Sequence, residues 1–162
     1  MKILIMGLPG SGKTTLARAL AHKLKAVHWN ADAVRANLNT HLGFSEADRV
    51  EQARRMGWLC DQVTAAGQIA IADFVCPTPA TRAAFQPSGC VIWVDTIKAG
   101  RFEDTNKLFV PPTLGPADYR VDTQDAEFWS KAIAEDIDYR INPTWAKALW
   151  LGFRRSNDLY VG

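Results

Sequence analysis

Residues 7–14 read Gly-Leu-Pro-Gly-Ser-Gly-Lys-Thr, an unbroken GxxxxGK[ST] pattern, and little else in the chain restricts its fold as tightly. The pattern follows a short apolar run, Ile3 to Met6, that suits a buried parallel strand. It opens a segment with Leu16, Ala19, Leu20 and Leu24 at helical spacing. Strand, glycine-rich turn and helix together form a phosphate cradle. Successive backbone N–H groups turn inward on phosphate oxygens, and the helix aims its positive end at the same point. Gly7, Pro9, Gly10, Ser11, Gly12, Lys13, Thr14 and Thr15 are therefore the expected nucleotide-binding residues. Lys13 supplies a point charge to the β and γ oxygens, and the Thr14 hydroxyl is a ligand for Mg²⁺. ATP and Mg²⁺ are the expected cofactors.

The rest of the chain continues the alternation of strand and helix. Val27 to Trp29 suits a second strand, and a polar helix is expected from Asp32 to near Gly43. Ser45 is a good N-cap for a helix reaching about Ala66, where Gly67 stops it. Ile69 to Ala72 and Val91 to Val94 are apolar runs, each followed by an aspartate, and read as central strands. A short helix is expected over Ala80 to Phe85, a last strand over Tyr119 to Val121 and a last helix over Gln124 to Tyr139. Thr96 to Pro116 shows no period and contains Pro111, Pro112 and Pro116, so it reads as a long functional loop such as a lid. The expected architecture is a three-layer α/β P-loop NTPase fold with a central parallel sheet flanked by helices.

A kinase domain over residues 1–139 is expected, followed by a tail, 140–162, rich in aromatic and basic residues. The tail holds Trp145, Trp150, Phe153 and Tyr160 among Arg140, Lys147, Arg154 and Arg155. It suits packing over the sheet edge better than a nucleic-acid surface. The net charge of +2 from 19 basic and 17 acidic residues does not demand a polyanion partner. Three widely spaced cysteines, Cys60, Cys76 and Cys90, form neither a metal motif nor an even disulfide set, which points to a reducing cytoplasmic setting. The opening apolar run is too short for a signal peptide or a membrane span.

Just past the second strand lies Asn30-Ala31-Asp32-Ala33-Val34-Arg35, near the mouth of the cradle. A carboxylate there can orient a hydroxyl or accept its proton, and an arginine one turn on can hold an anion. Asp32 is equally suited to capping the helix, and the two roles are compatible. Lys13, Asp32 and Arg35 are the candidate catalytic residues. Asp73 and Asp95 both suit a carboxylate supporting Mg²⁺ beside Thr14. Asp73 is preferred because its strand is the one expected next to the P-loop strand. In the long loop, Arg101, Asn106 and Lys107 are the lid candidates, with Arg101 and Lys107 foremost.

At this point the chain resembles the adenylylsulfate kinases, which phosphorylate the 3′-hydroxyl of adenosine 5′-phosphosulfate with ATP and Mg²⁺. The resemblance is carried by GLPGSGKTT at 7–15, DAVR at 32–35, LGFSEADR at 42–49 and the arginines Arg54 and Arg55. Cys76-Pro77 followed by Arg82 loosely matches the family's Ser-Pro…Arg segment. The resemblance implies that Asp32 serves the acceptor hydroxyl, Arg35 and Arg49 its anionic groups and Phe44 its base. It also places Gln52, Cys76 and Pro77 at the acceptor. Gln52 stands where the family has asparagine. Glu103 to Phe109 aligns with the family's Arg-Asp-x-Lys-Gly-Leu-Tyr lid, with the arginine lost and the lysine shifted by one. The likeness extends over about residues 1–95. The P-loop with residues 30–35 is also similar to phage-type polynucleotide 5′-hydroxyl kinases and to phage kinases of hydroxymethylated pyrimidines in DNA, which makes a DNA hydroxyl the second acceptor. A nucleotide-binding regulatory ATPase is the alternative outside the kinases. The expected partner is thus a nucleotide-like acceptor or DNA, with no membrane and a possible homodimer.

Overall fold

β1 (Lys2–Met6) is buried along its whole length, as an apolar strand between two layers must be. Alternation divides its side chains: Ile3 and Ile5 enter one core, Leu4 and Met6 the other. The computed structural model that shows this describes residues 1–142. After β1 come α1 (Lys13–Leu24), β2 (Val27–Asn30), α2 (Ala31–Asn37), α3 (Glu46–Ala65), β3 (Ala70–Phe74), α4 (Pro79–Phe85), β4 (Cys90–Val94), α5 (Glu103–Leu108), β5 (Tyr119–Val121) and α6 (Ala126–Ile141). The strands form one sheet in the order β2-β3-β1-β4-β5, and every neighbouring pair is parallel.

α1 and α6 pack together on one face, where Leu16, Leu20, Ile133 and Ile137 meet Ile3, Ile5, Ile71 and Ile92. α3 and α4 cover the other, where Met56, Cys60 and Phe85 meet Leu4, Met6, Ala70 and Ala72. This is the expected three-layer fold. β1 sits where the chain turns to β2 and β3 on one side and to β4 and β5 on the other. Such a switch opens a crevice at the carboxyl ends of the strands. The P-loop leaves β1 there. Gly7 is required at its first turn: a Cβ would lie 2.4 Å from the Val94 carbonyl oxygen and push the loop off β4.

Ser45 caps α3 as expected, its Oγ accepting from the Asp48 N–H at 3.2 Å. Two elements differ from the sequence reading. α2 ends at Asn37 rather than near Gly43. Asn39 explains the early stop, because its buried side chain turns into α3, donating to Gln52 Oε1 and accepting from Arg55. The segment 96–116 is not wholly irregular, for α5 lies inside it. α6 runs through Arg140 to Ile141, and the aromatic residues Trp145, Trp150, Phe153 and Tyr160 lie outside the described residues. Cys60, Cys76 and Cys90 are all buried and unpaired. No helix among the described residues is long and apolar enough to cross a membrane.

Candidate active site

Lys13 opens α1 at the base of the crevice, and its buried ammonium donates to the Leu8 carbonyl at 2.8 Å. Burial lowers its pKa to about 8, against the opposing pull of Asp73 and then Asp32. The next residue, Thr14, donates its hydroxyl to Asp73 Oδ2 at 2.6 Å. β3 presents Asp73 here because Asp73 pairs with Ile5 in the sheet, two residues before the loop begins. Burial pushes the Asp73 carboxyl up. Hydrogen bonds from His28 and Thr14, the charge of His28 and a further bond from Asn30 outweigh that and hold it below its ordinary value. Asp95 takes a different course: it accepts from Arg120 at 2.5 Å, lies 3.5 Å from Lys98 and lines no part of the crevice. The preference for Asp73 over Asp95 therefore has a geometric basis. A hydroxyl and an ionised carboxylate are hard oxygen donors of the kind Mg²⁺ takes, and Lys13 with the loop N–H groups suits a triphosphate.

The cap of α2 falls to Asn30, whose Oδ1 accepts from the Ala33 N–H at 3.0 Å. Asp32 is thus left uncommitted to the cap. It lines a cleft of about 600 Å³ together with Lys13, Thr14, Asp73, Phe44, Arg49 and Arg101. A smaller cavity of about 60 Å³ adjoins it, and Asp32, Phe44 and Arg49 line both. Arg35, Gln52, Cys76 and Pro77 line only the smaller one. One carboxylate, Asp32, therefore borders both the cleft at the P-loop and the smaller cavity that holds Arg35.

Phe44 is exposed, and two guanidinium groups lie near its ring, Arg35 at 4.7 Å and Arg49 at 5.5 Å from the centroid. Arg35 also donates to the carbonyls of Leu42 (3.0 Å) and Gly43 (2.6 Å), which fixes the turn presenting Phe44. Burial lowers the Arg35 pKa. Arg49 donates to the Phe44 carbonyl at 2.9 Å and reaches Thr105 of α5 at 3.4 Å. Gln52 is buried and bonded at both ends, to Asn39 and to the Ala31 carbonyl at 3.2 Å. Its amide braces α2 against α3 from behind the cavity. The Cys76 thiol is buried, donates to Thr81 Oγ1 at 3.6 Å, and is pushed up to about 12, first by burial.

The three lid candidates separate. Arg101 lines the cleft with its guanidinium 5.0 Å from the Phe102 ring. Asn106 instead closes the turn before α5, accepting from the Gly100 N–H at 2.8 Å and donating to the Gly100 carbonyl at 2.9 Å. Lys107 points to solvent and pairs with Glu103 at 2.8 Å, the helical i to i+4 partner. Neither Asn106 nor Lys107 lines the cleft. Several residues of the site carried no motif signal of their own. His28, which lies behind the cleft on Asp73, reads in sequence only as a strand residue, and Asn30 only as the head of the Asn30–Arg35 stretch, while Phe102 and Thr105 belong to the segment that shows no period. Across the P-loop lies a further cavity of about 170 Å³, lined by Gly12, Thr15, Thr96, Thr123 and Gln124. These residues are far apart in sequence, and only the fold gathers them.

The parallel sheet, the P-loop and the carboxylate beside it define the P-loop kinase fold. Residues 1–95 match the adenylylsulphate kinase family, and the chain belongs to it. Among curated relatives, the adenylyl-sulfate kinase of Synechococcus sp. is 41% identical over 81 residues, 47% of this chain and 46% of that protein. The corresponding protein of Citrobacter koseri is 43% identical over 81 residues, 47% of this chain and 40% of that one. The chain thus spans less than half the length of these relatives. The Mycobacterium tuberculosis APS kinase CysC, solved in complex with AMPPNP and APS, superposes with a TM-score of 0.68 at 22% identity. The match covers 84% of this chain and 95% of that one. Shikimate kinase of Aquifex aeolicus also shares the fold, with a TM-score of 0.54 at 15% identity, over 90% of this chain and 99% of that one. At such identities the likeness concerns the fold alone, and the fold is shared by kinases with different acceptors. The family match gives no support to a DNA acceptor or to the phage-type resemblance.

Proposed function

We propose that the protein transfers the γ-phosphoryl group of ATP, bound with Mg²⁺, to the 3′-hydroxyl of adenosine 5′-phosphosulfate. The observation that carries this reading is the placement of Asp32 between the two halves of one site. Lys13, Thr14 and Asp73 line only the larger cleft, Arg35 only the smaller cavity, and Phe44 and Arg49 border both with Asp32. Mg²⁺, held at Thr14 and Asp73, supplies neutralisation of the phosphate charge. Lys13 holds the β and γ oxygens by charge and direct hydrogen bonding. Asp32 accepts a hydrogen bond from the acceptor hydroxyl and aims its oxygen at the γ-phosphorus, taking its proton as the new O–P bond forms and the bond from the γ-phosphorus to the bridging oxygen breaks, releasing ADP. The guanidinium groups of Arg35 and Arg49 bind the phosphosulfate, and the Phe44 ring stacks on the adenine. Arg101 covers the transferring group from the lid and helps exclude water. The cavity lined by Thr123 and Gln124 takes the base of ATP.

The test is a coupled assay of ADP release with purified protein and Mg²⁺, with adenosine phosphosulfate added or withheld. Acceptor-dependent ADP formation, with a 3′-phosphorylated product identified by mass, is the expected result. Steady ADP release that ignores the acceptor would favour an ATPase and remove this reading. Light scattering of the same preparation tests the homodimer expected from sequence.

A further inference from the structure

β2 carries a histidine that the chemistry above leaves unused. Side-chain alternation puts His28 and Asn30 on one face of β2. The parallel register sets Asn30 opposite Asp73 and His28 opposite Ile71, so His28 meets Asp73 on the diagonal. Its Nε2 lies 2.6 Å from Asp73 Oδ1. Asn30 Nδ2 donates to both Asp73 oxygens at 3.2 Å, and Thr14 takes Oδ2 at 2.6 Å. An ionised carboxylate has no proton to give, so His28 is the donor in this pair. The Asp73 side chain is 1% exposed, so these neighbours, rather than bulk water, orient it. His28 fixes one oxygen, and that fixes where the other points. With Oδ2 receiving the Thr14 proton, the Thr14 oxygen, which also accepts from Asn30 Nδ2 at 3.3 Å, keeps a lone pair for the cleft.

We propose that His28 is a positioning residue for the cation site: its hydrogen bond sets the Asp73 carboxylate so that Thr14 and Asp73 together receive Mg²⁺ with ATP. This rests on the reading of Thr14 and Asp73 as that site. Partners that orient ligands in this way change metal affinity by about 10- to 100-fold when removed. A histidine that only filled space under β2 would not distinguish ATP with the cation from ATP without it.

The experiment measures ATP affinity by calorimetry, with Mg²⁺ and again with excess chelator, for the full chain and its variants. Mn²⁺ affinity in the presence of ATP, read by electron paramagnetic resonance, gives a second readout independent of turnover. His28→Leu is expected to weaken binding of ATP with Mg²⁺ about ten-fold, and Mn²⁺ in parallel, while leaving chelated ATP unchanged. His28→Gln, which keeps an N–H donor at similar reach, is expected to restore most of the loss. His28→Ala makes the same comparison should the leucine variant fail to fold. Equal weakening with and without the cation, no weakening at all, or a glutamine variant as poor as leucine would overturn the inference. Asp73→Asn separates the two levels. If it abolishes the benefit of Mg²⁺ while His28→Leu does not, only the role of His28 is wrong. If it leaves that benefit intact, the cation site itself is misassigned.

Discussion

The Thr14 hydroxyl donates to Asp73 Oδ2 at 2.6 Å, joining the first turn of α1 to the end of β3 across 59 residues of chain. The bond does two things at once. It satisfies one oxygen of a buried carboxylate, and it turns the hydroxyl oxygen toward the cleft. Thr14→Val keeps the shape and removes both. Asp73 retains His28 and Asn30, so stability should fall only by about 1 kcal/mol. On the proposed function, in which that oxygen helps hold Mg²⁺, turnover should fall far more, by about 100-fold. Initial rates over a Mg²⁺ series, beside a thermal melt, measure the two effects separately.

Arg35 and Arg49 both flank Phe44, yet their removal should have different consequences. Arg49→Ala is expected to raise the KM for the acceptor by about ten-fold or more, with the KM for ATP unchanged. Arg35→Ala should raise the acceptor KM as well. It should also lower stability by about 1–2 kcal/mol, because the Leu42 and Gly43 carbonyls lose their donor. Denaturation in urea, run beside the kinetics, distinguishes the variants. An Arg35→Ala protein as stable as its parent would show that the turn holds Phe44 without it.

The donor side of this site was legible in the sequence because its parts are contiguous. Residues 7–15 must bend around phosphate, and the bend dictates glycines at fixed intervals. Asp32 and Arg35 were legible as a pair one helical turn apart, and Asp73 as the end of an apolar run. What escaped was whatever depends on pairing across the sheet. His28 gains meaning only from the register that brings β2 beside β3, and no local spacing encodes that register. The capping of α2 by Asn30 rather than Asp32 turned on where the helix begins, since either side chain is chemically able to accept from the N–H three residues on. α5 was missed because six residues give too little periodicity to stand out between a phenylalanine and a run of prolines. Lys107 reads in sequence as a basic residue in a lid, and its i to i+4 relation to Glu103 becomes visible only once α5 is known.

α3 crosses α4 at Gly57, where an added Cβ would come within 2.6 Å of the Phe85 carbonyl oxygen. Two effects of Gly57→Ala oppose each other. Alanine favours the helix by about 1 kcal/mol, while forcing the helices apart costs about 1–3 kcal/mol. The clash is with backbone, which cannot swing aside, so crowding should win. A net loss of about 1–2 kcal/mol is expected, seen as a lower midpoint in urea with an unchanged slope. A more stable variant would mean that the α3–α4 contact yields more easily than its geometry suggests.

The three cysteines offer a pH-dependent test of the fold. Burial is the first cause in each case, and it holds Cys60, Cys76 and Cys90 at about 12. A raised thiol pKa means less thiolate at any pH below it. At pH 8 about one thiol in ten thousand is thiolate, against roughly one in four for a free cysteine. Native protein at pH 8 should therefore react with a disulfide reagent very slowly, and unfolding in guanidinium should release three fast-reacting thiols. Mass spectrometry of the modified chain identifies each site. Prompt modification of Cys76 in native protein would show that the smaller cavity beside Arg35 opens to the reagent.

Arg101 and Lys107 are six residues apart in one segment, and the structure sends them to different places. Arg101 enters the cleft beside Phe102, while Lys107 faces solvent and pairs with Glu103. If a lid cation neutralises the transferring phosphoryl, Arg101 is the residue placed to do it. Arg101→Ala should lower kcat by about ten- to a hundred-fold, with a smaller change in the KM for either substrate. Lys107→Ala removes a surface ion pair worth about 0.5 kcal/mol and should leave kcat unchanged. Arg101→Lys should recover part of the activity by restoring charge without the planar fork. Steady-state kinetics on the three variants decides the assignment. A large loss in Lys107→Ala, with Arg101→Ala unaffected, would show that α5 rotates during turnover to bring the lysine inward.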